Sequence, residues 1–137
     1  MNWFNRFRTV AVLAVAVIAA PGVGSQSSRT PLSSVQAGRW QLHDLDNRDA
    51  TPKRICIANP QELLQVEHAG AACSRMVVSA DAKRMTVHYT CAGEGFGQTN
   101  VRFVSANVVR IDTQGIARGR PFNYRFDARR VGGCNDR

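Results

Sequence analysis

Phe122, Tyr124, Phe126 and Ala128 alternate along the chain with Asn123, Arg125, Asp127 and Arg129. A period of two sends successive side chains to opposite faces of an extended segment, so one set meets a core and the other meets water. Arg120 to Arg129 is the clearest of seven short runs rich in Val, Ile, Phe, Thr and Tyr. The others are Arg39 to Asp44, Lys53 to Ile57, Ser74 to Ser79, Met85 to Ala92, Gly97 to Val104 and Val108 to Thr113. Turn residues separate the runs, which is the pattern of a mainly β, antiparallel domain. Connections this short favour pairing between sequence neighbours, hence a meander of about seven strands forming a curled sheet or a small barrel-like one.

One stretch breaks the period. Asn59 suits a helix N-cap, Pro60 the first helical position, and Glu62 the third, from which its carboxylate reaches back to the cap's N–H. Gly70 suits the exit. The predicted helix, Pro60 to about Glu67, is too short to stand alone, so Leu63 or Leu64 must pack on the sheet. Its role is structural.

Ahead of these elements the pattern changes character. Arg6 and Arg8 precede an apolar run from Val10 to Ala20 and the small-residue stretch Pro21-Gly22-Val23-Gly24-Ser25. These are the three parts of a secretory leader, with cleavage expected after Ser25. The run is shorter than the roughly 20 apolar residues a spanning helix needs, and the alternative is an uncleaved N-terminal anchor. No cysteine precedes Cys56, which excludes a lipid-modified N-terminal cysteine. Removing 1–25 from the 137 residues leaves enough chain for one modest domain. It consists of a Ser-rich lead-in over 26–37, expected to be flexible, and a single disulfide-bonded β domain over 38–137. Neither an internal repeat nor a heptad pattern nor a second apolar stretch is present, which argues against a solenoid or a membrane-spanning protein.

All four cysteines, Cys56, Cys73, Cys91 and Cys134, lie downstream of the leader. An even count in an exported chain implies disulfides formed in the periplasm or outside the cell, rather than a metal site or a redox motif. If Ser74 to Ser79 and Met85 to Ala92 form a hairpin turning at Asp81-Ala82-Lys83, Val77 faces Val87 and Cys73 faces Cys91. Cα atoms at a non-hydrogen-bonded pair stand about 4.5 Å apart, near the short end of disulfide reach. Cys56 then pairs with Cys134. The rival connectivity joins Cys56 to Cys73 across the helix and Cys91 to Cys134.

The cysteines also sit in a recognisable order. Gly38-Arg39-Trp40 comes near the mature start, Cys56 precedes the short helix, and Cys73 opens a hairpin. Cys91-Ala92-Gly93-Glu94-Gly95 forms a cysteine followed by a glycine-rich turn, and Arg129-Arg130-Val131-Gly132-Gly133-Cys134 ends a basic strand in Gly-Gly-Cys. In this order and spacing the chain resembles a family of small bacterial exported proteins catalogued as domain of unknown function 3617. The resemblance covers nearly all of the mature domain. It implies an exported, disulfide-bonded β protein with no assigned activity and supplies no catalytic residues.

The net charge of +8 falls to +6 once Arg6 and Arg8 leave with the leader. A basic exported protein is drawn to anionic surfaces. Only Lys53 and Lys83 are lysines, and arginine usage this heavy is also what genomic base composition alone would leave. Two kinds of partner fit a non-enzymatic binding module of the cell envelope. One is an anionic envelope component held by Arg102, Arg110, Arg125 and Arg129. The other is an apolar small molecule in a barrel mouth lined by Phe103, Tyr124 and Phe126. Trp40 is a candidate for the rim of such a site, the alternative being a buried core tryptophan.

Catalytic chemistry has weaker support. His43, His68 and His88 are possible bases, and a hydrolase of unrecognised type around His43 or His88 is the alternative function. No nucleophile-elbow pattern is present. Metal ligation lacks Cys-x-x-Cys, His-x-x-x-His and clustered carboxylates, and no cofactor motif appears. Arg118-Gly119-Arg120-Pro121 matches the core of a minor-groove DNA hook. In an exported chain it reads better as a turn into the last strand, with Pro121 at its start or on an edge. No nucleic-acid partner is expected.

Overall fold

Each of the seven expected runs is a strand in the structure, a computed structural model that describes residues 31–135. The strands are β1 (Gly38–Asp44), β2 (Lys53–Ile57), β3 (Cys73–Ala80), β4 (Arg84–Cys91), β5 (Gly95–Ser105), β6 (Val108–Ala117) and β7 (Arg120–Gly132). The expected leader over 1–25, with its cleavage site, lies outside the described residues. All seven strands form one antiparallel sheet in the order β2-β1-β7-β6-β5-β4-β3. From β3 to β7 it is the expected meander. The β1–β2 hairpin joins on the far side, where β1 lies against β7 with Leu42 opposite Ala128 and Asp44 opposite Phe126. β2 and β3, neighbours in sequence, therefore become the two outer edges, and the sheet does not close into a barrel.

Alternation sorts the side chains as the sequence predicts. Trp40, Leu42, Met85, Val87, Tyr89, Val101, Val109, Ile111, Phe126 and Ala128 are buried on one face. Two 3-10 segments cover that face. The first, Pro31–Ser34, lies inside the expected lead-in, and Leu32 and Val35 enter the core. Ordered structure thus starts before Gly38, because two apolar side chains there have a core to join.

The second segment, Pro60–His68, is a pair of 3-10 turns rather than an α-helix, with a kink at Gln65 (φ −140°, ψ 43°). Leu63, Leu64, Gln65, Val66 and His68 are all buried. Four consecutive buried residues cannot share one face of a straight amphipathic helix, so the backbone turns at Gln65 to sink them all. The capping expected from sequence is in place. The Asn59 side chain accepts the Gln61 N–H at 3.0 Å, and Glu62 accepts the Asn59 N–H at 2.9 Å. Asn59→Ala should cost about 1 kcal/mol, read as a fall of about 4–8 °C in thermal midpoint. An unchanged midpoint would mean that core packing alone holds this segment.

Both disulfides follow the register-based expectation. Cys73 faces Cys91 and Val77 faces Val87 across the β3–β4 hairpin, and Cys73–Cys91 and Cys56–Cys134 are the two bonds. Asp81 closes that hairpin by accepting the N–H groups of Lys83 (2.7 Å) and Arg84 (2.8 Å), which hold its carboxyl below the usual carboxylate range.

β5 and β6 run longer than expected, β5 from Gly95 and β6 through Gly115 to Ala117, and Gly97 faces Gly115. Gly97 is no strand breaker here. A Cβ on it would lie 2.5 Å from the Tyr89 hydroxyl, so the missing side chain makes room for that ring. Arg118 and Gly119, both at positive φ (48° and 75°), form the two-residue turn between β6 and β7. The Arg-Gly-Arg-Pro tetrapeptide is thus a hairpin turn. Pro121 sits at the start of β7, where β1 does not reach, so its missing N–H costs no ladder bond.

Candidate functional site

The opposite face of the sheet carries the charge. Strand pairing sets Arg84 of β4 opposite Arg102 of β5, and Arg102 opposite Arg110 of β6. Adjacent strands are about 4.8 Å apart, so three guanidinium side chains leave the sheet side by side. Like charges placed directly opposite destabilise a sheet. Among the described residues none of the three takes part in a salt bridge. The next residue in the row, Asp127 opposite Arg110, is held instead by Arg129 at 2.8 Å.

Arg102, Arg110, Arg125 and Arg129, separated in sequence, are thus brought to one face. Two of them are already partnered, Arg125 by Asp46 and Arg129 by Asp127. Arg84 is the cation that sequence inspection missed. Extending the hairpin logic from the β3–β4 turn through the glycine-rich turn at Gly93 would have placed it beside Arg102.

A shallow concavity of about 550 Å³ opens at the Arg84–Arg102 end of this row, lined also by Thr86, Asn100, Asp112 and Asp81 among others. Thr86 donates to the Asn100 side-chain oxygen at 2.7 Å, fixing the floor between the arginines and the rest of the face. Farther along the strands, His88, Gln98, Gln114 and Asn123 form a second row across β4 to β7. Beyond it stands Phe96, 47% exposed and met edge-on by His88 at 6.4 Å between ring centroids. A second concavity, of about 470 Å³, is lined by His88, Phe96, Gln98, Gln114, Ile116 and Asn123 among others.

Trp40 is elsewhere. It is fully buried and donates its indole N–H to the Gln36 carbonyl at 3.1 Å, so it is not presented on the arginine face. Phe126 is a core residue, and Phe103 and Tyr124 pack against the same core. Phe122, Tyr124 and Phe126 stack in a ladder with centroids 6.1 and 5.5 Å apart. The aromatic residues expected to line a barrel mouth thus fill the inner side of an open sheet.

His43 lies on the outer face opposite Asp127, and His88 stands four strands and four residues away along the same face. Among the described residues neither has a hydrogen bond to a carboxylate or a hydroxyl, and no group of three His, Cys, Asp or Glu is placed to hold a metal ion. The third histidine is the one built into a network. His68 meets the Tyr89 hydroxyl at 3.2 Å and the Glu94 carbonyl at 3.3 Å. Burial raises the Tyr89 hydroxyl above its ordinary pKa, against a smaller opposite pull from Thr113, so it stays neutral. Thr113 in turn bonds Thr99 at 2.8 Å. Gln65, whose amide donates to the His68 and Ala71 carbonyls, accepts from Arg75. Every member has a partner, which is what a buried polar cluster needs in order to specify a fold.

No family model, no curated protein and no solved structure matches the chain.

Proposed function

We propose that this chain is an exported, disulfide-bonded module of the cell envelope that binds an anionic envelope component through Arg84, Arg102 and Arg110, without catalysing a reaction. The observation that carries the proposal is the row itself. Three arginines on adjacent strands, none in a salt bridge among the described residues, cost the sheet stability, and an anionic ligand converts that repulsion into charge-assisted hydrogen bonds. Export is supported by the leader pattern over 1–25 and fits the two disulfides, which persist in oxidising compartments. Among the described residues no helix is long and apolar enough to cross a membrane. The proposal also places the chain with the exported four-cysteine family it resembles.

The test is co-sedimentation with an isolated envelope fraction at low and moderate salt. The triple variant Arg84→Gln/Arg102→Gln/Arg110→Gln should bind about tenfold more weakly or worse, since hydrogen bonds to charged groups are individually strong. Arg48→Gln/Arg54→Gln/Arg120→Gln removes the same charge from exposed positions outside the row and should lose much less. Equal losses from both variants would reduce the effect to net charge and overturn a localised site.

A further inference from the structure

The outer face offers more than cations, and resting on the anionic-ligand assignment above, we propose that its ligand is an acidic polysaccharide. Such a chain lies along the strands, from Phe96 over Gln98, Gln114 and Asn123 to the arginine row. Gln98 faces Gln114, and Gln114 faces Asn123, so three amides stand in line at strand spacing. Among the described residues, none of the three side chains is hydrogen-bonded to another protein group. Each amide presents both a donor and an acceptor.

That duality selects the ligand. Polyphosphate offers acceptors only, which would leave the amide oxygens facing more oxygen. A lipid surface would strip water from the amides and return no partner. Sugar hydroxyls donate and accept at once, and the acidic groups of the same polymer serve the arginines. Phe96, half exposed and buttressed edge-on by His88, gives the apolar face of a sugar ring a flat partner two residues beyond Gln98 on β5.

The rows also set a register. Gln98 and Arg102, like Gln114 and Arg110, are four residues apart on one strand, about 14 Å. Asp112 and Asn100 face each other between them. The Asp112 carboxylate accepts from hydroxyls and repels acid groups, so it directs the ligand's charges onto the arginines and its neutral stretch onto the amides. The first concavity takes in Asn100 and Asp112 of this middle row together with Arg102, and the second begins at Gln98 and Gln114, the next residues outward on the same face.

Isothermal titration of the mature protein with an oligogalacturonate tests this. Maltohexaose of comparable length serves as the uncharged control, inorganic polyphosphate as the anion without hydroxyl donors, and phosphatidylglycerol vesicles as the lipid surface. The wild type should bind oligogalacturonate more tightly than any of the other three. Phe96→Ala and the double variant Gln98→Ala/Gln114→Ala should each weaken oligogalacturonate about tenfold, while changing polyphosphate binding less than twofold. Their thermal midpoints should stay near wild type, because these side chains are on the solvent face. Amide shifts on titration should centre on β5 and β6 between Phe96 and Arg102.

If both variants bind oligogalacturonate as wild type does while the arginine triple variant loses it, the polysaccharide assignment falls and the anionic site stands. If the arginine triple variant also retains binding, the anionic site itself falls. Tighter binding of vesicles or polyphosphate than of oligogalacturonate overturns the polysaccharide in favour of that ligand.

Discussion

Removing the Cys56–Cys134 bond, as Cys56→Ser/Cys134→Ser to leave no lone thiol, should cost about 4.5 kcal/mol in the chain-entropy account. The bond spans 78 residues, so most of the chain is a closed loop in the denatured state and loses freedom there. It also staples a weak place. β2 is an edge strand of five residues that pairs only with β1, and the bond ties it to the segment that follows β7. The loss is comparable with the whole stability of a small domain, about 5–15 kcal/mol. In urea titrations followed by circular dichroism, the double variant should unfold at far lower denaturant than wild type. Cys73→Ser/Cys91→Ser opens a loop of separation 18 and should cost about 3 kcal/mol. A larger loss from the shorter loop would show that local strain relief or hairpin order, rather than loop closure, dominates.

Trp40→Ala should cost about 3–5 kcal/mol. The indole is fully buried at the middle of β1, opposite Ile55 on one side and Arg130 on the other. It belongs to one core cluster with Leu32, Leu63, Leu64 and Val66 of the 3-10 segments. Truncation leaves a cavity and removes the bond to Gln36 that pins the chain entering β1. Trp40→Phe, which keeps much of the volume, should cost clearly less. The chain's other tryptophan, Trp3, belongs to the expected leader, so in the mature protein Trp40 alone reports by fluorescence. Its emission should be blue-shifted in the native state and move to the red on unfolding. A red-shifted native spectrum would place the ring in water and return it to consideration as a binding residue.

What the sequence revealed and what it hid divide along physical lines. Alternation is a local signal, so β7 was legible from Phe122, Tyr124, Phe126 and Ala128. The Cys73–Cys91 pair followed from the turn at Asp81 because a hairpin register is fixed by its turn. The neighbour of β1 was not legible. Pairing between Leu42 and Ala128 leaves no mark near either residue, and the rule that sequence neighbours pair fails only at β2 and β3. The kink at Gln65 was hidden because a capping box announces a helix start without saying which faces will be buried. The arginine row was half legible. Arg102 and Arg110 stood out by composition, but Arg84 became their neighbour only through two successive registers, and Trp40 read as either a rim or a core residue until the core that encloses it was known.

The place of β7 bears on how the chain matures. Its final strand sits third in the sheet, between the opening hairpin and the remaining four strands. Until that strand has been made, Trp40 and Leu42 have no neighbour on one side. The earlier β3 to β6 hairpins can form as they emerge, whereas the opening hairpin must wait for β7. Long-range closure of this kind is slow. Completion of the sheet, and with it formation of the Cys56–Cys134 bond, therefore comes only after β7 and Cys134 have been made.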